Sequence, residues 1–162
     1  MGWDQYGCSY SSCWTRSDVD EYVLWSSYSS LKEGIAVKAT IGRLIDSLSD
    51  DDPRDYYISD VLYIDYQDDY TFRKSRGIAN LIAPHFVKRK YFLAEKEIRM
   101  MHFDPDARFD KSPEGLLAPV KLDLLIDSVF VSPFSQEWFK WALEDLLRHY
   151  DLGEKTVMKS AI

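Results

Sequence analysis

The chain has 162 residues and a formal net charge of −7, with 46% hydrophobic and 15% aromatic residues but only seven Gly and six Pro. This composition excludes a disordered chain and suits one domain with a sizeable core. The acidic total argues against general DNA binding, no apolar run is long enough to span a membrane, and no Cys or His spacing fits a zinc site.

In chain order, Trp3 to Trp14 alternates Cys8, Tyr10, Ser12 and Trp14 with mostly small residues and is predicted as a strand. Cys8 and Cys13 are five apart, on opposite faces of that strand, a poor geometry for a disulfide. Two thiols without a signal peptide point to a reducing cytoplasm. Ser17 or Asp18 then caps a helix through about Ser29. Trp25 and Tyr28, three apart, share a face of it and serve either as core or as an aromatic wall for a base or nicotinamide ring. Ile35 to Thr40 is a short strand, and Ile41, Leu44, Ile45 and Leu48 give the apolar stripe of a short helix.

The acidic loop Ser49 to Asp55 precedes a strand over Ser59 to Tyr66, and a helix is expected from Thr71 to Ile82, which Pro84 breaks or restarts before His85, Phe86, Arg89, Lys90 and Leu93. The next strand runs from about Lys96 to Phe103. Val120 to Leu122 and Ser128 to Val131 are short strands. Ser132 as N-cap and Pro133 at the first helical position open the clearest helix, whose stripe is Trp138, Phe139, Ala142, Leu143, Leu146, Leu147 and Tyr150. Gly153 ends it nearby, and Thr156 to Ile162 is a last strand.

Charge is unevenly spread. From Asp46 to Asp69 nine Asp against one Arg give −8, while from Thr71 to Arg99 eight basic residues against Glu95 and Glu97 give +6. The two segments either neutralise each other in the fold or leave an anion-binding patch for phosphate or nucleic acid.

The chemistry concentrates in Lys88 to Met101. On an extended chain Glu95, Glu97, Arg99 and Met101 fall on one face. Glutamates spaced by two sit roughly 6.5 to 7 Å apart, near enough to raise each other's pKa when desolvated and to act as acid and base. Arg99 is equally placed to quench both, which makes the same residues a surface ladder. His102, Asp104 and Asp106 match no known metal spacing, so no metal site is expected.

Several of these residues carry a resemblance. Cys13-Trp14, Trp25 with Tyr28, Gly34-Ile35, then Lys88, Phe92, Glu95, Glu97 and Arg99 in that spacing, and finally Val131-Ser132-Pro133 before an amphipathic helix, resemble the C-terminal two thirds of a large bacterial family labelled a domain of unknown function. The resemblance implies a bacterial or phage-associated cytoplasmic protein from a defence or toxin setting. The family's late strands are themselves similar to those of ADP-ribosyltransferases, in which a strand glutamate stabilises the cationic ribosyl transition state as nicotinamide leaves. That similarity assigns Glu97, with Glu95 two before it, a catalytic role and makes NAD the candidate cofactor. Family members carry a further N-terminal region, with an Asn-Asp-Pro type segment, before the Cys-Trp element, whereas this chain starts almost at that element. The expectation is a fragment, or a pared-down relative that binds without catalysing.

The expected architecture is a single-domain α+β fold with a mixed or antiparallel sheet of about six strands, flanked by three or four helices. The first functional expectation is a phosphate-bearing ligand site, for nucleotide or nucleic acid, built from Lys88, Arg89, Lys90 and Arg99 with Trp25 and Tyr28 as stacking groups. Its rivals are ADP-ribosyl transfer or NAD cleavage through Glu97, a metal-dependent nuclease using Asp65 and the Glu97-Ile98-Arg99 element, and a non-catalytic module whose acidic segment meets a protein partner. Transfer requires Glu97 in a cleft beside aromatics, and the nuclease requires a second carboxylate sharing a metal with it.

Overall fold

The computed structural model of the chain describes residues 8–17, 21–65, 82–107 and 114–162. Its elements begin with β1 (Cys8–Thr15), α1 (Tyr22–Tyr28), β2 (Ile35–Lys38), α2 (Ile41–Ser47), β3 (Tyr57–Asp60) and β4 (Leu62–Ile64). A 3-10 turn (Ala83–Phe86), β5 (Val87–Arg89), a second 3-10 segment (Lys90–Glu95) and β6 (Glu97–Asp104) follow. The chain closes with α3 (Leu122–Leu125), β7 (Ser128–Val131), α4 (Glu137–His149) and β8 (Thr156–Lys159). The helix expected over Thr71 to Ile82 falls almost wholly outside the described residues. Among those residues, no helix is long and apolar enough to cross a membrane.

The fold is α+β, as the patterns indicate, but the strands divide among three small sheets: antiparallel β1-β6-β3, mixed β2-β7-β8 and the parallel pair β4-β5. One cause is local. The run expected as a single strand from Ser59 breaks at Val61, whose N–H donates to the Glu97 carbonyl at 2.9 Å, and Leu62 then turns to pair with Val87. The described residues group into two compact units, Met1–Ser17 with Pro53–Leu117 and Asp18–Asp52 with Ala118–Ile162.

In the first unit β6 is the central strand, with Cys13 of β1 and Ser59 of β3 on either side of Arg99. Glu97, Ile98, Met100 and Met101 are all buried, so both faces of β6 are covered. That is why its sequence reads as mixed rather than as a half-buried alternation.

In the second unit Ile126, Val129, Val131, Leu143, Leu147, Leu152 and Val157 form the core, with Phe139 against it. The α4 stripe therefore splits: Phe139, Leu143 and Leu147 turn to the core, while Trp138, Trp141 and Leu146 stay at least half exposed. The start of α4 corrects the expected cap. Ser132 is fully buried and its hydroxyl donates to the Leu31 carbonyl, and Ser135 N–H donates to the Ser132 carbonyl at 3.1 Å. Ser132 and Pro133 thus make a turn, and the helix begins four residues later than expected, with Gln136 at the N-cap position. Likewise α1 begins after Glu21, with no side-chain cap bond, and Asp18 lies outside the described residues. Val120 forms only an isolated bridge to Leu48, and Leu122 opens α3 instead of ending a strand. Gly34 sits where the chain packs on its own preceding turn: a Cβ there would meet the Ser30 carbonyl oxygen at 2.7 Å. Past α4, Asp151 takes a left-handed φ of 58° just before Gly153.

Candidate functional site

The alternation of β6 sends Glu97, Arg99 and Met101 to one face. Lys96, left-handed at φ 44°, turns the chain from the 3-10 segment into β6, so Glu95 belongs to that segment and not to the strand. β5 and the segment after it bring Lys88 and Glu95 to Glu97. Arg99 grips the Glu97 carboxylate with both arms, Nε to Oε1 at 2.6 Å and Nη2 to Oε2 at 3.1 Å. Lys88 Nζ donates to Glu97 Oε2 at 3.2 Å and also to Glu95 Oε2, and lies 4.9 Å from the Phe92 ring centre. The Cys13 thiol hydrogen-bonds the same carboxylate. The Glu97 N–H donates to Tyr63 Oη at 2.8 Å, and Arg99 Nη1 donates to the His85 carbonyl. Ser9 Oγ lies 3.2 Å from His85 Nδ1. Spacing in the sequence identifies Lys88, Glu95, Glu97 and Arg99. It does not reveal His85 and Tyr63, whose place depends on segments that pair only in the fold, nor Cys13 as a partner of Glu97.

Glu97 is only 5% exposed. Burial by itself would push its carboxyl up, yet Arg99, Cys13 and Lys88 outweigh burial and hold it at about 2. Glu97 in turn raises Arg99. Burial would lower Lys88, but Glu95 and Glu97 raise it. Burial and then Glu97 push the Cys13 thiol up, while burial and Arg99 push His85 down. At neutral pH two carboxylates thus cancel two cations, with the thiol protonated and the imidazole neutral.

These shifts fix the pH dependence of stability. Both His85 and Glu97 bind protons less readily folded than unfolded, so the unfolded chain takes up protons first and stability falls with falling pH. The loss begins below about 6.5 with His85 and continues as pH drops from 4.5 towards 2 with Glu97. The Glu97 share is on the order of 3 kcal/mol, from 1.36 kcal/mol per pKa unit. Urea titrations at stepped pH should show this fall, and Glu97→Gln should flatten it below pH 4.5.

No protein-family model, curated protein or solved structure matches the chain. Cys13, Lys88, Phe92, Glu95, Glu97 and Arg99 meet in this network.

The other sequence candidates lie elsewhere. Arg89 and Lys90 are exposed, and Lys90 pairs with Asp65, a direct instance of the acidic and basic segments neutralising each other. Trp25 and Tyr28 belong to the second unit. Trp25 is 5% exposed and Tyr28 67%, so they form no common wall: the indole is core and the phenol faces out. Asp104 Oδ1 accepts from the N–H groups of Asp106 and Ala107 at 3.0 and 3.1 Å, which makes it a turn cap. Among the described residues no group of three or more His, Cys, Asp and Glu is placed to hold a metal.

Chemically, Glu97 held near 2 is a poor general base and no general acid at neutral pH. Glu95 and Glu97 do converge as a pair, but on Lys88, whose ammonium stands where a bridging metal would.

Proposed function

We propose that the protein binds a phosphate-bearing ligand, with Arg89 and Lys90 at phosphate and Tyr91 stacking on a base. The observation that carries this reading is the outward run of Arg89, Lys90 and Tyr91 where the chain leaves β5. Lys88 turns inward to Glu95 and Glu97, while Arg89 and Lys90 are exposed and Tyr91 is 81% exposed. A ring that open beside two cations is the combination that single-strand binders use, and it tolerates any base because every base has a π-face. The inward charges serve as scaffold, fixing the segment that presents the outward ones. Lys90 is more than half exposed in its pair with Asp65, and such a surface pair is worth at most about 1 kcal/mol, so a phosphate can replace it. The transferase role implied by the resemblance also needs an anionic Glu97, but Arg99 and Lys88 already occupy both of its oxygens.

The test is fluorescence anisotropy of a labelled short single-stranded RNA, titrated over a range of salt. Two phosphate contacts give a slope of log K on log salt of about −1.4, each contributing roughly −0.7 on a single strand. Arg89→Ala should reduce the slope to about −0.7, and Tyr91→Ala should weaken binding by about 1–3 kcal/mol at unchanged slope. No binding, or binding indifferent to both substitutions, overturns the reading.

A further inference from the structure

Two cations converge on the end of α3. The Thr40 hydroxyl accepts from Arg43 N–H at 3.1 Å and caps α2, which sets Arg43 in the first turn of that helix. Its Nη2 donates to the Ile126 carbonyl at 2.9 Å and to the Asp123 carbonyl at 3.4 Å, covering the orphan carbonyls where α3 stops. After α4 the Lys155 N–H donates to the Leu152 carbonyl at 2.9 Å, and this turn brings the Lys155 ammonium to the same Asp123 carbonyl at 2.7 Å. Sharing one acceptor holds the two like charges close together, and capping does not neutralise them. Among the described residues Arg43 has no carboxylate in ion-pair contact, and Lys155 has only Glu154, at 3.9 Å and 76% exposed. The Lys155 side chain is nonetheless only 11% exposed, whereas buried lysines are normally paired. Arg43 Nε is buried without a hydrogen-bond partner among the described residues, and an orphaned buried donor points to an ion or water that completes it.

We propose that Arg43 and Lys155 form an oxyanion site that takes phosphate, as the free ion or as the terminal group of a phosphate monoester. Two positive charges match a phosphate group, which carries about −1.5 to −2 at neutral pH, whereas chloride or a carboxylate would leave one of them uncompensated. The donors match as well. Nε is open for one phosphate oxygen, and the ammonium has three donors, of which the Asp123 carbonyl takes one. The planar guanidinium is fixed by the Ile126 and Asp123 carbonyls, while the flexible Lys155 stem lets its ammonium move from the carbonyl to the ion. Arg43 is half-buried and Asp123 and Glu154 beside the pair are exposed, so the site lies just below the surface. Asp46 and Asp127 are exposed too, and solvent screens their repulsion of an incoming anion. All of these residues belong to the second unit, so the site shares none with the one proposed at Arg89 and Lys90.

The test follows the Nε–H signal of Arg43, assigned by through-bond correlation, in proton–nitrogen NMR spectra of the full chain. Sodium phosphate is titrated in at an ionic strength held constant with sodium chloride. The signal should shift and saturate with phosphate, and chloride alone should not move it. Because the signal belongs to Arg43, phosphate held at Arg89 or Lys90 does not register. Lys155→Met should weaken phosphate binding at least about 10-fold, the loss of one charge-assisted contact, while Lys155→Arg, which keeps the charge, should retain it. A parallel titration with AMP separates the two sources of the group: binding tighter than that of phosphate assigns the site to a nucleotide's phosphate, and equal or weaker binding assigns it to the free ion. A signal that responds to phosphate no more than to chloride, or a Lys155→Met chain that binds phosphate as tightly as the wild type, overturns the proposal. The wild-type titration decides the matter even if a variant fails to fold.

Discussion

Arg99→Ala should cost about 3–5 kcal/mol of stability, the penalty for stranding a buried charge by removing its partner. Glu97 is 5% exposed and receives two of its bonds from this one guanidinium. Lys88 and Cys13 remain, but neither replaces a two-armed grip, and the His85 carbonyl also loses its donor. Chemical denaturation reads the loss. The same variant should unfold in acid at a higher pH, because Glu97 loses the strongest influence holding its carboxyl down. The double variant Glu97→Met/Arg99→Met should recover most of the stability, since well-packed apolar groups can replace a buried ion pair at little cost. A penalty below about 1 kcal/mol for Arg99→Ala would place the pair among exposed salt bridges and contradict the buried network.

The second large effect is expected at Met101, a fully buried residue held between Ser11 of β1 and Tyr57 of β3. Met101→Ala should destabilise by about 2–5 kcal/mol, combining lost apolar burial with the cavity left behind. Its neighbours on that face, Glu97 and Arg99, are locked in the ion network and cannot close over the gap, which favours the upper part of the range. Leu146→Ala, half exposed on α4, is the control and should lie within about 0.5 kcal/mol. If the two substitutions cost the same, β6 is not the strand on which the first unit is built.

Elements whose residues signal locally are legible in the sequence, and contacts made only in the fold are not. β6 was legible because Glu97 to Met100 alternate polar and apolar before the apolar Met101, and its expected span from about Lys96 to Phe103 differs from the observed one by a single residue at each end. The convergence of Glu95 on Glu97 follows a different route from the one that period two implies. Lys96 breaks the strand with a left-handed φ, and Lys88, not the strand itself, draws the two carboxylates together. Ser-Pro is a helix-start signal, and the Ser132 hydroxyl does accept from Phe134 N–H at 3.3 Å, but it also donates to the carbonyl of Leu31, 101 positions earlier, and the turn it makes does not run on into the helix, which starts at Glu137. The α4 stripe shows the limit most clearly. Its apolar residues recur at helical spacing, but periodicity cannot say which of them meet the core and which stay exposed. Trp25 and Tyr28 divide in the same way, one into the core and one outward.

Glu97 is a scaffold charge that stays ionised at neutral pH, and the proposed ligand contacts lie on the outer side of the same segment. The most direct measurement is a carbon-detected NMR titration of side-chain carboxyl groups, with the Glu97 signal assigned by its loss in Glu97→Gln. The expected midpoint is about 2, with no change in that signal through neutral pH. A midpoint above the ordinary 4.5 would contradict the account, since it would make Glu97 a carboxyl poised for proton transfer and return the site to acid–base chemistry.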